Sequence, residues 1–169
     1  MDKIRVFTPP YDYDNGKNIG CDVMPLRVFF GGTIDDGKSI NWQNELIGKL
    51  NFCDTVHPII VYNPRRADWP SSEDHNEIDK QIKWELSHLE RADLIVMNIL
   101  GDSKSPISLM EIGLFARQNK LLVFCPKEFY RYDNVRIVCG NYNIPLFETN
   151  DVGIIRDKVL DYEKGIQAI

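Results

Sequence analysis

The stretch SPISLMEIGLFA, residues 105–116, has the apolar pattern of a helix but carries one carboxylate, Glu111. Because each residue advances about 100° around a helix, Glu111 shares its face with Ser108 and with three apolar residues, Ile107, Leu114 and Phe115. Burial favours the neutral acid, so a carboxylate there needs hydrogen-bond donors or a ligand. The pattern is compatible with a structural, salt-bridged glutamate and with a catalytic one.

Three other segments carry residues suited to a ligand site. FFGGTIDDGKS (29–39) reads as a strand that runs into a glycine turn, where either a ligand or a following helix comes close to the backbone. NPRRADWP (63–70) ends another strand with two arginines, which suit phosphate or carboxylate groups but more often form surface salt bridges. Asp93 begins a strand, and it is either a partner carboxylate for Glu111 or a solvated boundary residue.

Strands and helices alternate along the chain. Ser105 and Pro106 are typical of the N-cap and the first position of the helix that carries Glu111. The alternation predicts right-handed βαβ units, a doubly wound sheet of about five parallel strands and a three-layer αβα architecture. Ligands in such folds bind beyond the carboxyl ends of the strands. We expect strands near 26–31, 57–62, 93–98, 120–125 and 144–147, and helices near 39–51, 71–92, 105–116 and 151–165. The clearest of these is the helix at 71–92, with its apolar positions at Ile78, Ile82, Leu86 and Leu89.

Composition excludes several functional classes. The chain has 169 residues and a formal net charge of -5, which argues against nucleic acid as a main partner. There is no secretory signal and no apolar run of membrane-spanning length, so we expect a cytoplasmic protein that does not bind membranes. The three histidines lack metal-ligand spacing, and we expect neither a metal nor a cofactor. The four cysteines, Cys21, Cys53, Cys125 and Cys139, lie far apart and are expected to be free thiols.

Three motifs in order, FFGGTID, ERADLIVMNI and SPISLMEIG, resemble those of nucleoside 2-deoxyribosyltransferases, closest to a divergent "deoxyribosyltransferase-like" branch that also has an N-P-R-R signature. The resemblance spans roughly residues 26–147 and implies a flavodoxin-like fold. It places the domain at 26–169, after an extension at 1–25 that consists of a short strand and a loop.

The resemblance also implies a chemistry for Glu111. In the family, the corresponding glutamate attacks the anomeric carbon of a 2-deoxynucleoside and forms a covalent deoxyribosyl ester, as in retaining glycosidases. Asp93 matches an aspartate that binds or protonates the base. Two positions depart from the family pattern. Phe29 stands where relatives often have a tyrosine that orients the nucleophile, and Ser105 stands where they have a base-binding aspartate, with Asp102 nearby.

A set of candidate substrate-binding residues follows from the motifs and from the loops at the strand ends. We expect Glu111 and Asp93 to meet the glycine turn in one pocket. Asn134, in the segment FYRYDNVRIVCGNY (129–142) that reads as neither clean helix nor clean strand, is a candidate for donation to a neighbouring subunit, because relatives are homo-oligomers with shared sites. The substrate-binding candidates are Gly31, Gly32, Thr33, Asp35, Asn63, Arg65, Asp102, Ser105, Ser108 and Asn134.

Three functions remain open at this point. The first is a transferase that moves deoxyribose from a nucleoside to a second free base. The second is a hydrolase of nucleosides or of their 5′-monophosphates, whose phosphate Arg65, Arg66, Ser39 or Ser103 would bind. The third is a non-catalytic nucleotide-binding module. A fold and its motifs do not fix the acceptor.

Overall fold

The strands of the protein form one sheet in which every pair is parallel. The computed structural model describes residues 4–15 and 23–165. Within them the sheet has six strands in the order β1-β3-β2-β4-β5-β6. The strands are β1 (Ile4–Phe7), β2 (Leu26–Gly32), β3 (Ile59–Tyr62), β4 (Leu94–Asn98), β5 (Leu121–Phe124) and β6 (Leu146–Phe147).

Five helices connect and cover these strands. Their bounds are α1 (Trp42–Asn51), α2 (His75–Arg91), α3 (Pro106–Phe115), α4 (Tyr132–Asn141) and α5 (Val152–Gly165). The last five strands have the doubly wound, flavodoxin-like order, so the predicted fold class is confirmed. The sixth strand is β1, which pairs with the outer side of β3 and comes from the segment predicted to be an extension.

The sheet separates two apolar cores. One core lies under α1 and α5 and includes Phe30, Trp42 and Ile155. The other lies under α2, α3 and α4 and includes Phe29, Trp84 and Phe115. The strands β3, β4 and β5 are buried along their whole length because both of their faces are covered, which explains their lack of polar alternation.

A segment that follows β1 runs along α2 and holds it in place. The indole N–H of Trp84 donates to the Asp12 carbonyl at 2.7 Å. The buried Asp14 carboxylate accepts from the Tyr62 hydroxyl at 2.6 Å and from Arg27 Nε at 3.2 Å. This network decides which face of α2 turns inward.

The face predicted for α2 was wrong. Ile82 and Leu86 are 46% and 43% exposed, whereas the buried residues are Gln81, Trp84, His88 and Leu89. The apolar spacing indicated the helix correctly, but the contacts of Trp84 with the segment after β1 set its rotation.

The segment 129–142 also differs from its prediction, because most of it is the helix α4. Val135 and Cys139, four residues apart, form the buried stripe that packs this helix on the sheet. Its polar and aromatic residues face outward and mask the helical period in the sequence.

Three of the four cysteines, Cys53, Cys125 and Cys139, are free thiols, and Cys21 lies outside the described residues. No helix within the described ranges is long and apolar enough to cross a membrane.

Candidate functional site

The glycine turn at the end of β2 brings two strand ends together. Thr33 N–H donates to the Asn98 carbonyl at 3.0 Å. Gly32 has a φ of +128°, and a Cβ there would lie 2.1 Å from that same carbonyl oxygen. A Cβ on Gly31 would lie 2.7 Å from Met97 Sδ. Both glycines therefore permit close contact between β2 and β4, which is a packing reason and not a ligand contact.

Three hydroxyl groups connect this turn to the start of α3. Thr33 Oγ1 lies 3.0 Å from Ser103 Oγ and 2.6 Å from Ser105 Oγ, and all three side chains are buried. Thr33 Oγ1 also accepts the Leu100 N–H at 2.9 Å. Ser105 occupies the N-cap with a φ of 43° and makes no side-chain cap bond, since its hydroxyl belongs to this cluster. The structure thus fixes Thr33 and Ser105 together, at the end of α3 that leads to Glu111.

Glu111 is buried, with 6% of its surface exposed, and Ser108 lies on the same buried face of α3. The three apolar residues predicted to lie on this face differ in exposure. Phe115 is buried, whereas Ile107 and Leu114 are each 56% exposed. The expectation that these apolar residues surround Glu111 therefore holds for Phe115 and was wrong for Ile107 and Leu114. Glu111 lies at the border between the buried face of α3 and an exposed apolar one.

The charged group that acts on Glu111 is Glu85 of α2. Burial, with the nearby Glu85 charge as the second cause, raises the pKa of Glu111 to about 8. Burial also raises the pKa of Glu85 to about 7, although a hydrogen bond from Gln81 opposes the shift. Glu85 is half-buried, and with both pKa values raised the two carboxyl groups retain a proton near neutral pH.

Glu85 was missed in the sequence because the predicted apolar face of α2 pointed elsewhere. Gln81 Nε2 donates to Glu85 Oε1 at 2.7 Å and to the Pro64 carbonyl at 2.9 Å, which ties this carboxyl group to the loop after β3. The signal that would have found it is the spacing of Gln81, Trp84 and His88, three and four residues apart, with Glu85 in the same stripe.

The expected donor to Glu111 is absent. Among the described residues, no hydrogen-bond donor reaches its carboxylate, so the prediction that a donor lowers its pKa was wrong. Phe29, which replaces the family tyrosine, is buried and packs against Trp84 with ring centroids 6.3 Å apart. A phenyl ring cannot donate the hydrogen bond that the family tyrosine would supply.

Asp93 does not join this site. Its N–H donates to the Arg27 carbonyl at 2.9 Å, and its carboxylate accepts the Arg27 N–H at 2.8 Å. Arg27 is at the amino end of β2, whereas the glycine turn is at the carboxyl end. The prediction of Asp93 in the pocket was wrong because it precedes its strand, and residues that precede parallel strands gather at the opposite edge.

Arg65 is occupied by the chain itself. Its two terminal nitrogens donate four hydrogen bonds of 2.6–3.2 Å to Gly37, Ser39 and Ile40, three of them to backbone carbonyls. It holds the loop before α1 and has no terminal N–H left for a substrate phosphate. Asn63 is buried nearby and accepts the Arg65 N–H at 3.1 Å.

Three further candidates lie away from the carboxyl pair. Asp35 and Asp102 are exposed residues of the loops that follow β2 and β4. Asn134 lines a groove of about 350 Å³ between α3 and α4, together with Leu109 and Gly113. Leu109 and Gly113 lie about 160° around the axis of α3 from Glu111. Asn134 therefore cannot belong to the pair within one chain.

Comparison with known proteins supports a family assignment. A family model for nucleoside 2-deoxyribosyltransferase-like proteins matches residues 25–129. The chain belongs to this family. No curated protein matches the chain. A crystal structure of a conserved protein from Enterococcus faecalis V583 shares the fold, with a TM-score of 0.54 and 12% identity, over 83% of this chain and 98% of that one.

The candidate site of this deoxyribosyltransferase-like domain is therefore the pair of Glu111 on α3 and Glu85 on α2, which interact electrostatically. Within the described part of the chain there is no group of three side chains that could hold a metal ion. A pair of carboxyl groups that retains one proton provides a nucleophile and an acid for cleavage of a glycosidic bond.

Proposed function

We propose that the protein cleaves the N-glycosidic bond of 2′-deoxynucleosides through a covalent deoxyribosyl ester on Glu111, and transfers the sugar to another base. The observation that carries the proposal is the pair of Glu111 and Glu85, whose pKa values are both raised, with Glu111 in the motif that resembles the family's. A structural glutamate would accept hydrogen bonds from the protein, whereas Glu111 accepts none from the described residues.

The first half-reaction divides the work between the two carboxyl groups. An ionised Glu111 oxygen forms a bond to C1′ while the bond from C1′ to the base nitrogen breaks, and its electron pair goes to the base. Glu85 gives its proton to the departing base, which is the role that the sequence had suggested for Asp93. The pKa of Glu111 lies above that of Glu85 in the free protein, so the mechanism requires the proton to lie on Glu85 when the bond breaks. Positive charge that develops at C1′ then stabilises the ionised form of Glu111.

The second half-reaction reverses these steps. A nitrogen of the incoming base attacks C1′, the ester bond breaks, and the electron pair returns to Glu111. Glu85, now ionised, takes the proton that the incoming base loses. Water can take the place of the second base, and the outcome is then hydrolysis.

Hydrolysis has one observation in its favour. Ile107 and Leu114 flank Glu111 and are more than half exposed, so one side of the ester faces solvent in the single chain. A transferase must keep water away from the ester for as long as the acceptor base takes to arrive.

A second copy of the chain would shield the ester from water. The exposed residues of α2 and α3 form an apolar surface beside the carboxyl pair, and we extend the proposal to a homo-oligomer that buries it, with Asn134 entering the neighbour's site. A monomer in light scattering at working concentration would remove this extension. The surface consists of Ile82, Leu86, Ile107, Met110 and Leu114.

The activity is tested by incubation with each 2′-deoxynucleoside, and with each 5′-monophosphate, in the presence and absence of a second free base. Chromatography identifies the products. A new nucleoside that requires the second base supports transfer, and free deoxyribose or its phosphate supports hydrolysis. No turnover with any substrate would contradict both and would favour a binding module.

A further inference from the structure

Arg66 is a buried cation that contacts α2 at Glu77, about two helical turns from Glu85, and the proposed chemistry does not use it. Only 9% of its surface is exposed. It lies in the loop after β3, two residues beyond Pro64, whose carbonyl accepts from Gln81, and Gln81 also binds Glu85. This loop therefore borders the site from the carboxyl edge of the sheet.

The guanidinium of Arg66 has donors without partners. Nη2 lies 3.5 Å from Glu77 Oε2, and Nε lies 3.6 Å from Asp68 Oδ1, which is too long for a hydrogen bond. Nε and Nη1 are buried and have no hydrogen-bond partner among the residues that the structure describes. Arginine does not lose its proton in proteins, so a buried, half-paired guanidinium is costly unless an anion completes it.

The two neighbouring carboxylates complete the guanidinium only in part. Glu77 Oε2 accepts from Nη2 at 3.5 Å, while its Oε1 accepts from Lys80 Nζ and from the Tyr11 hydroxyl, both at 2.8 Å. The Asp68 side chain is 90% exposed, and its Oδ1 lies 3.6 Å from Nε. Arg65, the adjacent arginine, shows the contrast, because its terminal nitrogens are fully used by loop oxygens.

The distance along α2 from Glu85 to Arg66 would allow Arg66 to bind the end of a substrate that is remote from the glycosidic bond. Glu77, Gln81 and Glu85 are four residues apart on one face of the helix. Arg66, which contacts Glu77, is therefore about 12 Å along the helix axis from the level of Glu85, at a rise of about 1.5 Å per residue. A substrate with its glycosidic bond at the carboxyl pair would extend toward this arginine. The same loop carries a second buried donor without a partner, Trp69 Nε1.

We infer that Arg66 binds an oxyanion of the substrate, a phosphate or a carboxylate, at the end remote from the bond that breaks. This inference rests on the proposed function for the position of the substrate, but it concerns binding and not turnover. The planar guanidinium can donate N–H groups to two oxygens of one anionic group.

Binding is measured by isothermal titration to the Glu111→Gln variant, which the proposed mechanism makes inactive, so that affinity is read without turnover. The ligands are 2′-deoxynucleosides, their 5′-monophosphates, and nucleosides whose base carries a carboxylate. We expect one anionic class to bind about ten- to a hundredfold more tightly than the neutral nucleosides. The class that does so identifies the anion.

Arg66→Met, in the same background, should abolish that difference while affinity for neutral nucleosides stays within about twofold. Arg66→Lys should restore only part of it, because an ammonium group lacks the fork. The control is Arg156→Met, an equal loss of charge on α5 at the other face of the sheet. Anion preference that persists in Arg66→Met, or no anion preference in the parent, would overturn the inference.

A melting temperature separates this role from a structural one. If Arg66 serves its ion pair with Glu77, Arg66→Met should melt several degrees lower than the parent. If it is kept for a ligand, the ligand-free variant should melt at the same temperature or higher, because an unpaired buried charge has been removed. Turnover by Glu111→Gln would show that the catalytic assignment is wrong. The effect of Arg66→Met on anion binding would still test the role of Arg66.

Discussion

Two buried glutamates lie on opposite faces of the sheet, and their surroundings differ. Glu163 of α5 has no exposed surface, and its Oε1 accepts the N–H groups of Val56 and His57 at 2.9 and 2.7 Å. Glu111 of α3 is nearly as buried, but it has only another carboxyl group nearby and a pKa raised to about 8. The first glutamate fastens two segments of the chain together, whereas the second costs stability.

The helix starts near the two glutamates also differ. Asn41 and Asp151 cap α1 and α5 through side-chain bonds to Asn44 N–H and Gly153 N–H, whereas Ser105 makes no cap bond at the start of α3. Buried polar atoms without a partner among the described residues occur in both layers, on Arg66 in one and on Gln43 and Glu163 in the other. The contrast therefore lies in how each glutamate is bonded and not in the layer as a whole.

The largest expected effect is on turnover. Glu111→Gln should lower kcat by about 10³-fold or more, because an amide does not attack C1′. Glu163→Gln should keep nearly full activity, since its amide oxygen still accepts the two N–H groups. Steady-state assays on both variants check this, with circular dichroism to confirm folding. Equal losses in the two variants would remove the distinction between them.

Removal of the second carboxyl group should have a smaller effect. Glu85→Gln should lower kcat by about 10²-fold, because the departing base loses its acid. The loss should shrink for nucleosides whose bases leave readily as anions, and the fall in kcat at alkaline pH should weaken. Glu90→Gln, an exposed change on the same helix, is the control. A uniform loss for all bases would assign Glu85 to positioning.

The stability of the fold should respond in the opposite order. Glu163→Ala removes the acceptor of two partly buried N–H groups and should cost about 1 to 3 kcal/mol of unfolding free energy. Glu111→Ala leaves none unpaired among the described residues and should cost less. Urea denaturation measures both. A greater loss for Glu111→Ala would show that this glutamate is the structural one.

The smallest effect is a pH dependence. The pKa of Glu111 rises from 4.5 in the unfolded chain to about 8 in the fold, so the folded state binds more protons between these values. Stability should therefore fall as pH rises from 4.5 to 8. Glu111→Gln should be as stable as the parent near pH 4.5 and more stable than the parent at pH 8, by at most about 1.4 kcal/mol for each unit by which the pKa is raised. A difference that does not change with pH would contradict the raised pKa.

The sequence predicted the features that depend on local pattern. The alternation of apolar strands and amphipathic helices indicated the parallel sheet, and the spacing around Glu111 indicated its burial. Glu85 was not predicted, because the rotation of α2 depends on Trp84 and on a segment far away in sequence. Asp93 was assigned by motif order alone, although its place before a strand puts it at the opposite edge of the sheet.

Arg65 and Arg66 mark another limit of prediction from sequence. Both belong to one motif and look equivalent, yet one is saturated by loop oxygens and the other has buried donors without partners. Which arginine turns toward which loop is a matter of tertiary contacts, and no periodicity encodes it.

The most direct test of the account is to trap the proposed intermediate. A 2-fluoro-2-deoxy nucleoside slows breakdown of the ester, because the fluorine destabilises the positive charge that develops at C1′. Incubation, proteolysis and mass spectrometry should then find one sugar adduct, on the peptide that contains Glu111, and none in the Glu111→Gln variant. An adduct on Glu85 or another residue, or efficient turnover by Glu111→Gln, would contradict the claim that Glu111 is the nucleophile.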